Sequence, residues 1–137
     1  MENTGRAAAV YHDDCRGHLA AKLLALCREE GKKKSVVGVF PECGEQYAQR
    51  TEELFRYSLS IGANLTVLYS TQPAAALLEY IRSHAVTDLV ISEKDTSGAG
   101  RLVAELLPQV SVTYVPTDGT FRFISPEFLR SPAVRAN

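Results

Sequence analysis

The sequence predicts an α/β domain: a five-stranded parallel sheet with helices on both faces. Segments that read as strands alternate with segments that read as helices throughout residues 7–115. The strand segments, SVVGVF, TDLVIS and SVTYV among them, are nearly continuous apolar runs, which suits strands covered on both faces. The 137 residues amount to one domain, long enough to bury a single core.

Residues 7–11 (AAAVY) form the first strand, which stops at His12-Asp13-Asp14. Residues 19–30 (LAAKLLALCREE) set Leu19, Leu23, Leu26 and Cys27 at helical spacing. Gly31 then stops the helix, and Lys32, Lys33 and Lys34 read as a solvated helix end whose charge suits the dipole. The β-branched run at residues 35–40 (SVVGVF), bounded by Pro41 and Gly44, is a buried strand. Residues 45–61 fit a second helix closed by Gly62, and residues 64–69 (NLTVLY) fit strand three.

Pro73 suits the first turn of a third helix, with Ala74, Leu77, Leu78 and Ile81 on one face. Strand four is residues 87–92 (TDLVIS), and Leu77, Leu78, Ile81, Leu89 and Ile91 are expected in the core. A short amphipathic helix over residues 100–107 stops near Pro108, and residues 111–115 (SVTYV) form strand five. Pro116-Thr117-Asp118-Gly119 is turn chemistry, and the alternation at residues 121–124 (FRFI) predicts an extra C-terminal antiparallel strand. The domain therefore spans residues 1–124, and residues 125–137 form an irregular arm.

Composition narrows the function. Fifteen basic against 16 acidic side chains leave a formal net charge of -1, which supports neither nucleic-acid nor membrane-surface binding. No apolar run approaches the ~20 residues that span a bilayer. The N-terminus has no signal-peptide core, so the expected location is cytoplasmic and the Asn64-Leu65-Thr66 sequon is idle. Cys15, Cys27 and Cys43 make no zinc spacing and read as free thiols.

In an open parallel sheet, ligands bind beyond the carboxyl ends of the strands, where strand order reverses. The residues there are His12, Asp13, Asp14 and Cys15, then Glu42 and Cys43, then Ser70, Thr71 and Gln72, then residues 92–100. Asp13 and Asp14 can cap the following helix, accept hydrogen bonds from an adenine or ribose, or join Glu42, Glu93 and Asp95 around a metal, though no spacing demands the metal. Cys15 beside two carboxylates is a poor thiolate, and no nucleophile has an oriented base, so no catalytic residue is assigned. Strand three ends in Tyr69-Ser70, which lacks the aspartate that a phosphoacceptor domain needs.

The loop after strand four is the informative one. A helix opening near Thr96-Ser97-Gly98-Ala99-Gly100 offers backbone N–H groups and a positive dipole end, a generic anion site. Lys94 and Arg101 favour an anion, whereas Glu93 and Asp95 oppose it.

The segment QPAAALLEYIRSHAVTDLVIS resembles the third helix and fourth strand of universal stress protein domains, and the order of elements agrees over residues 7–115. It also resembles the domain of this type inside potassium-sensing histidine kinases. The resemblance implies a Rossmann-like fold with five parallel strands, frequent dimerisation and, in one branch, ATP binding. In that branch an aspartate after strand one contacts the adenine region, and Asp13 matches it. The branch also carries Gly-x-x-Gly after strand four, with a later Gly and Ser or Thr. Ser92 and Asp95 stand at the two glycine positions here, and the later pair is absent.

The expectation is a cytoplasmic regulatory or interaction module, not an enzyme, with no ATP or other cofactor and with a signalling protein as partner. The alternative is an adenine-nucleotide-binding protein using Asp13 with Ser92, Lys94, Ser97, Gly98, Gly100 and Arg101. A homodimer is expected through strand five and the C-terminal tail with Phe121, Phe123 and Phe128, because a bare edge bearing Val112, Tyr114 and Val115 would template association.

Overall fold

The computed structural model describes residues 5–118. Five strands form: β1 (Arg6–Val10), β2 (Lys33–Phe40), β3 (Asn64–Tyr69), β4 (Val86–Ser92) and β5 (Ser111–Val115). Four α-helices connect them: α1 (Arg16–Glu30), α2 (Ala48–Ser60), α3 (Pro73–Ser83) and α4 (Ala99–Leu106). Every pairing is parallel, in the order β3-β2-β1-β4-β5. The first two crossovers run one way from β1 and the last runs the other way from β4. The switch point therefore lies above β1 and β4.

Alternating residues of the central strands feed two cores. On one face Ala7, Ala9, Val36, Val90 and Val115 pack under Leu19, Leu23 and Leu26 of α1 and Leu54 and Tyr57 of α2. On the other, Ala8, Val37, Leu89 and Ile91 pack under Leu77, Tyr80 and Ile81 of α3 and Ala99 and Val103 of α4. Three successive alanines in β1, all fully buried, let both helix layers approach the middle of the sheet. Leu77, Ile81, Leu89 and Ile91 are buried as expected, whereas Leu78 is only half-buried and Tyr80 takes the inward position beside it. Among the described residues no helix is long and apolar enough to cross a membrane.

Two segments depart from the sequence expectation. The first helix begins at Arg16, three residues earlier than its apolar spacing suggests, after a 3-10 turn at Asp13–Cys15. Neither Asp13 nor Asp14 caps it. The acceptor is the carboxylate of Asp118, which takes the N–H groups of Gly17 at 2.6 Å and His18 at 3.3 Å. The lysine run is likewise not a solvated helix end. Gly31 does stop α1 in the left-handed region at φ 69°, but Lys33 and Lys34 belong to β2. Lys32 turns inward, its Nζ 2.8 Å from Asp88 and 2.8 Å from the Thr87 hydroxyl, with Glu30 at 3.5 Å. Hydrogen bonding to Asp88 is the main reason its ammonium is held above the usual lysine range.

The turn expected at residues 116–119 does not fold straight back on β5 within the described chain. Residues 116–118 instead reach the start of α1, where the Asp118 N–H donates to the Asp14 carbonyl. The predicted extra strand at residues 121–124, the domain boundary after residue 124 and the arm at residues 125–137 all lie outside the described residues.

Candidate functional site

The loop from β4 to α4 is closed by its own side chains. The backbone N–H of Lys94 donates to Ser92 Oγ at 2.9 Å, and that of Asp95 to the Ser92 carbonyl at 3.1 Å. The Asp95 carboxylate accepts the Ser97 N–H at 3.1 Å and the Ser97 hydroxyl at 2.6 Å. Ser97 Oγ in turn accepts the N–H of Ala99, the first residue of α4, at 3.1 Å. Four N–H groups of a phosphate-type loop are thus occupied, and a carboxylate sits where an incoming anion would gather them.

The glycines of this loop have separate causes. Gly98 has φ 79°, a left-handed conformation that favours glycine, and open space surrounds its α-carbon. Gly100 is buried against the Tyr114 hydroxyl, so a β-carbon would collide with β5's tyrosine. Close packing within the fold accounts for it.

Gly98, Gly100 and Arg101 line a groove of about 520 Å³ with Glu93, Asp95, Thr96 and Tyr114. Two carboxylates face one guanidinium there, an unfavourable lining for a polyphosphate. Ser92 is buried and lies beneath the loop, and Lys94 is exposed outside the groove lining.

Asp13 belongs to a different neighbourhood. It lines one groove with Tyr11, Arg16, Glu53 and Arg56, and another of about 480 Å³ that includes Tyr57, Ile61 and Asp118. Its exposed carboxylate lies 3.7 Å from Arg50. The Tyr11 phenol donates to it, and burial followed by this bond pushes Tyr11 up to about 12. Tyr57 packs edge-on to Tyr11 with ring centroids 5.1 Å apart, and its hydroxyl donates to the Arg16 carbonyl at 2.6 Å. The Arg16 guanidinium lies 5.4 Å from the centre of the Tyr57 ring, and burial drives the Tyr57 phenol upward.

At the switch point itself, Cys15 and Ser92 fill the space. Both are buried, and the Cys15 sulfur lies 3.8 Å from the His12 carbonyl. Burial raises the Cys15 thiol first, with Asp118, Asp14 and Glu93 adding to the effect and the Ser92 hydroxyl opposing it. The sulfur is therefore a core atom and a poor nucleophile. Asp13 on one flank and the β4 loop on the other line separate grooves.

Glu42 accepts a hydrogen bond from Gln46 at 3.1 Å. Among the described residues no three His, Cys, Asp or Glu side chains gather as metal ligands. Asp118, Arg16, Tyr11 and Tyr57 are the structured residues of this rim that sequence spacing missed. Asp118 carried a signal only for a turn, because its partner His18 stands 100 positions away.

A five-stranded, all-parallel α/β sheet with this order and a short β4 loop defines the Rossmann-like class that includes universal stress proteins. The chain is similar to the solved structure of a universal stress protein from Archaeoglobus fulgidus, with a TM-score of 0.55 and 15% identity, over 82% of this chain and 93% of that one. The likeness shows a shared fold. No protein-family model matches the chain, and no curated protein does.

Proposed function

We propose that this chain is a universal-stress-protein-like regulatory or interaction domain whose switch-point loop does not grip ATP. The observation that carries the reading is the loop's self-closure: Asp95 and Ser97 hold the N–H groups of Ser97 and Ala99 that a phosphate would need. A triphosphate would have to displace those bonds and settle beside Glu93 and Asp95, both lining the same groove. The alternative, an adenine-nucleotide protein using Asp13 and the loop, also requires two separate grooves to act as one.

Calorimetry with Mg-ATP tests the reading. The expected result is no saturable heat, and a micromolar dissociation constant would overturn it. In that event Asp13→Ala separates the two parts of the alternative, since unchanged affinity would leave the loop alone as the binding element.

The domain acts in the cytoplasm as a homodimer through strand β5 and the C-terminal tail. Among the described residues that strand pairs only with β4, and Tyr114 is 51% exposed, which supports an edge available to a second strand. Light scattering should give about twice the 15.0 kDa chain mass, and a monomer at high concentration would refute the dimer. Signalling follows from presenting a surface of the dimer to a protein partner, without a reaction.

A further inference from the structure

The rim of the sheet opposite the switch point carries a pocket of about 220 Å³ lined by Gly5, Arg6, Lys33, His84 and Ala85. We infer that this pocket binds a phosphate group, free or carried on a phosphomonoester. Register brings the residues together: Arg6 of β1 pairs with Lys33 of β2 and with Val86 of β4. His84 and Ala85 immediately precede Val86, so the starts of three adjacent strands supply a guanidinium, an ammonium and an imidazole to one cavity. None of the described lining residues is acidic.

Two of these three side chains, Arg6 and His84, are held by the protein. Arg6 Nη1 donates to Ser35 Oγ at 2.7 Å, and Ser35 is itself buried. The His84 ring stacks on Tyr80 with centroids 4.4 Å apart, and its Nδ1 lies 3.0 Å from the Tyr80 carbonyl. A carbonyl only accepts, so the proton is assigned to Nδ1, which also lies 3.0 Å from the Ser83 hydroxyl, and Nε2 is left as an acceptor for the P–OH of a monoprotonated phosphate. Ala85 adopts φ 55°, a left-handed conformation that an alanine enters at a cost, and this turn carries the chain from His84 into β4.

Asp88, of β4, is engaged by the Lys32 ammonium at 2.8 Å, and Glu30 lies 3.5 Å from the same nitrogen. A planar guanidinium beside an ammonium suits the oxygens of a phosphate, and Arg6 keeps donors beyond the one used on Ser35.

Amide NMR titration with inorganic phosphate, repeated with glycerol phosphate and with chloride at matched ionic strength, tests the site. Saturable shifts centred on Arg6, Lys33, His84 and Ala85 are expected with at least one phosphate probe and not with chloride. The tighter probe says whether the group arrives free or esterified. Arg6→Gln should weaken the binding about tenfold. Lys33→Gln, at an exposed position with little influence on folding, should also weaken it. Chloride giving the same shifts, phosphate shifts that centre on residues 93–98 instead, or unchanged affinity in Lys33→Gln would each overturn the site.

Discussion

Replacing Asp118 by alanine tests how the end of β5 is tied to α1. The carboxylate accepts the Gly17 N–H at 2.6 Å and the His18 N–H at 3.3 Å, and lies 2.6 Å from His18 Nδ1. Losing the acceptor at a helix N-terminus costs ~1 kcal/mol. The imidazole contact joins side chains 29% and 20% exposed, so after allowance for solvent it adds ~1 kcal/mol. The combined loss is about 2 kcal/mol, or about 8 °C in Tm for a chain of this size. Asp118→Asn keeps a capping acceptor and gives up the charge, so it should lose about half as much. Urea denaturation followed by circular dichroism reads both variants, and a double-mutant cycle with His18→Ala isolates the imidazole contact. A loss below ~0.5 kcal/mol for Asp118→Ala would refute the clasp, because it would put the residue among neutral surface substitutions.

Leu89→Ala, at a fully buried position in β4, should cost ~2–5 kcal/mol in chemical denaturation, and less than ~1 kcal/mol would mean the strand is not core. Lys32→Met should leave Asp88 without its ammonium partner and lower stability by ~1–3 kcal/mol, while Lys32→Met combined with Asp88→Leu should recover part of the loss. Tyr11 has a folded value raised from 10.0 to about 12, so the stability it contributes is complete below pH 10.0 and is lost as pH rises through about 12. Ultraviolet titration of tyrosinate should therefore show a late-ionising group that Tyr11→Phe removes, and an unchanged titration curve would reject the assignment. Gly100→Ala should push the Tyr114 ring aside and lower stability without touching the Asp95–Ser97 turn, which amide NMR can check residue by residue.

What the sequence revealed and what it hid divide along a physical line. The strands β3 and β5 form over the residues their apolar runs mark, because their limits are set locally. Gly62, at φ 68°, ends the turn before β3, and Pro108 lies in the short link to β5. Pro73 starts α3 for the same kind of reason. The start of α1 and the role of the lysine run were hidden because their partners are remote. Asp118 caps a helix 100 residues before it, and Lys32 finds Asp88 across the sheet, 56 positions on, by way of a strand order that local patterning does not encode.

The candidate site follows the same division. Ser92 and Asp95 could be recognised as side chains standing where a phosphate loop wants glycine, but their partners depend on how the loop closes. Closure turns Asp95 from a mere repulsive charge into an acceptor that occupies the N–H and hydroxyl of Ser97. Removing the charge alone should therefore not create a phosphate site. Asp95→Asn would retain an acceptor for the turn, and Ser97 would still cap Ala99. Asp95→Gly goes further by freeing the Ser97 N–H, yet Ser92 still holds the Lys94 N–H from a buried position and Cys15 still fills the switch point. On the proposed reading, nucleotide binding along this rim would require the loop and its floor to change together, which is why the family resemblance could flag the absent glycines while only the fold accounts for the closed loop.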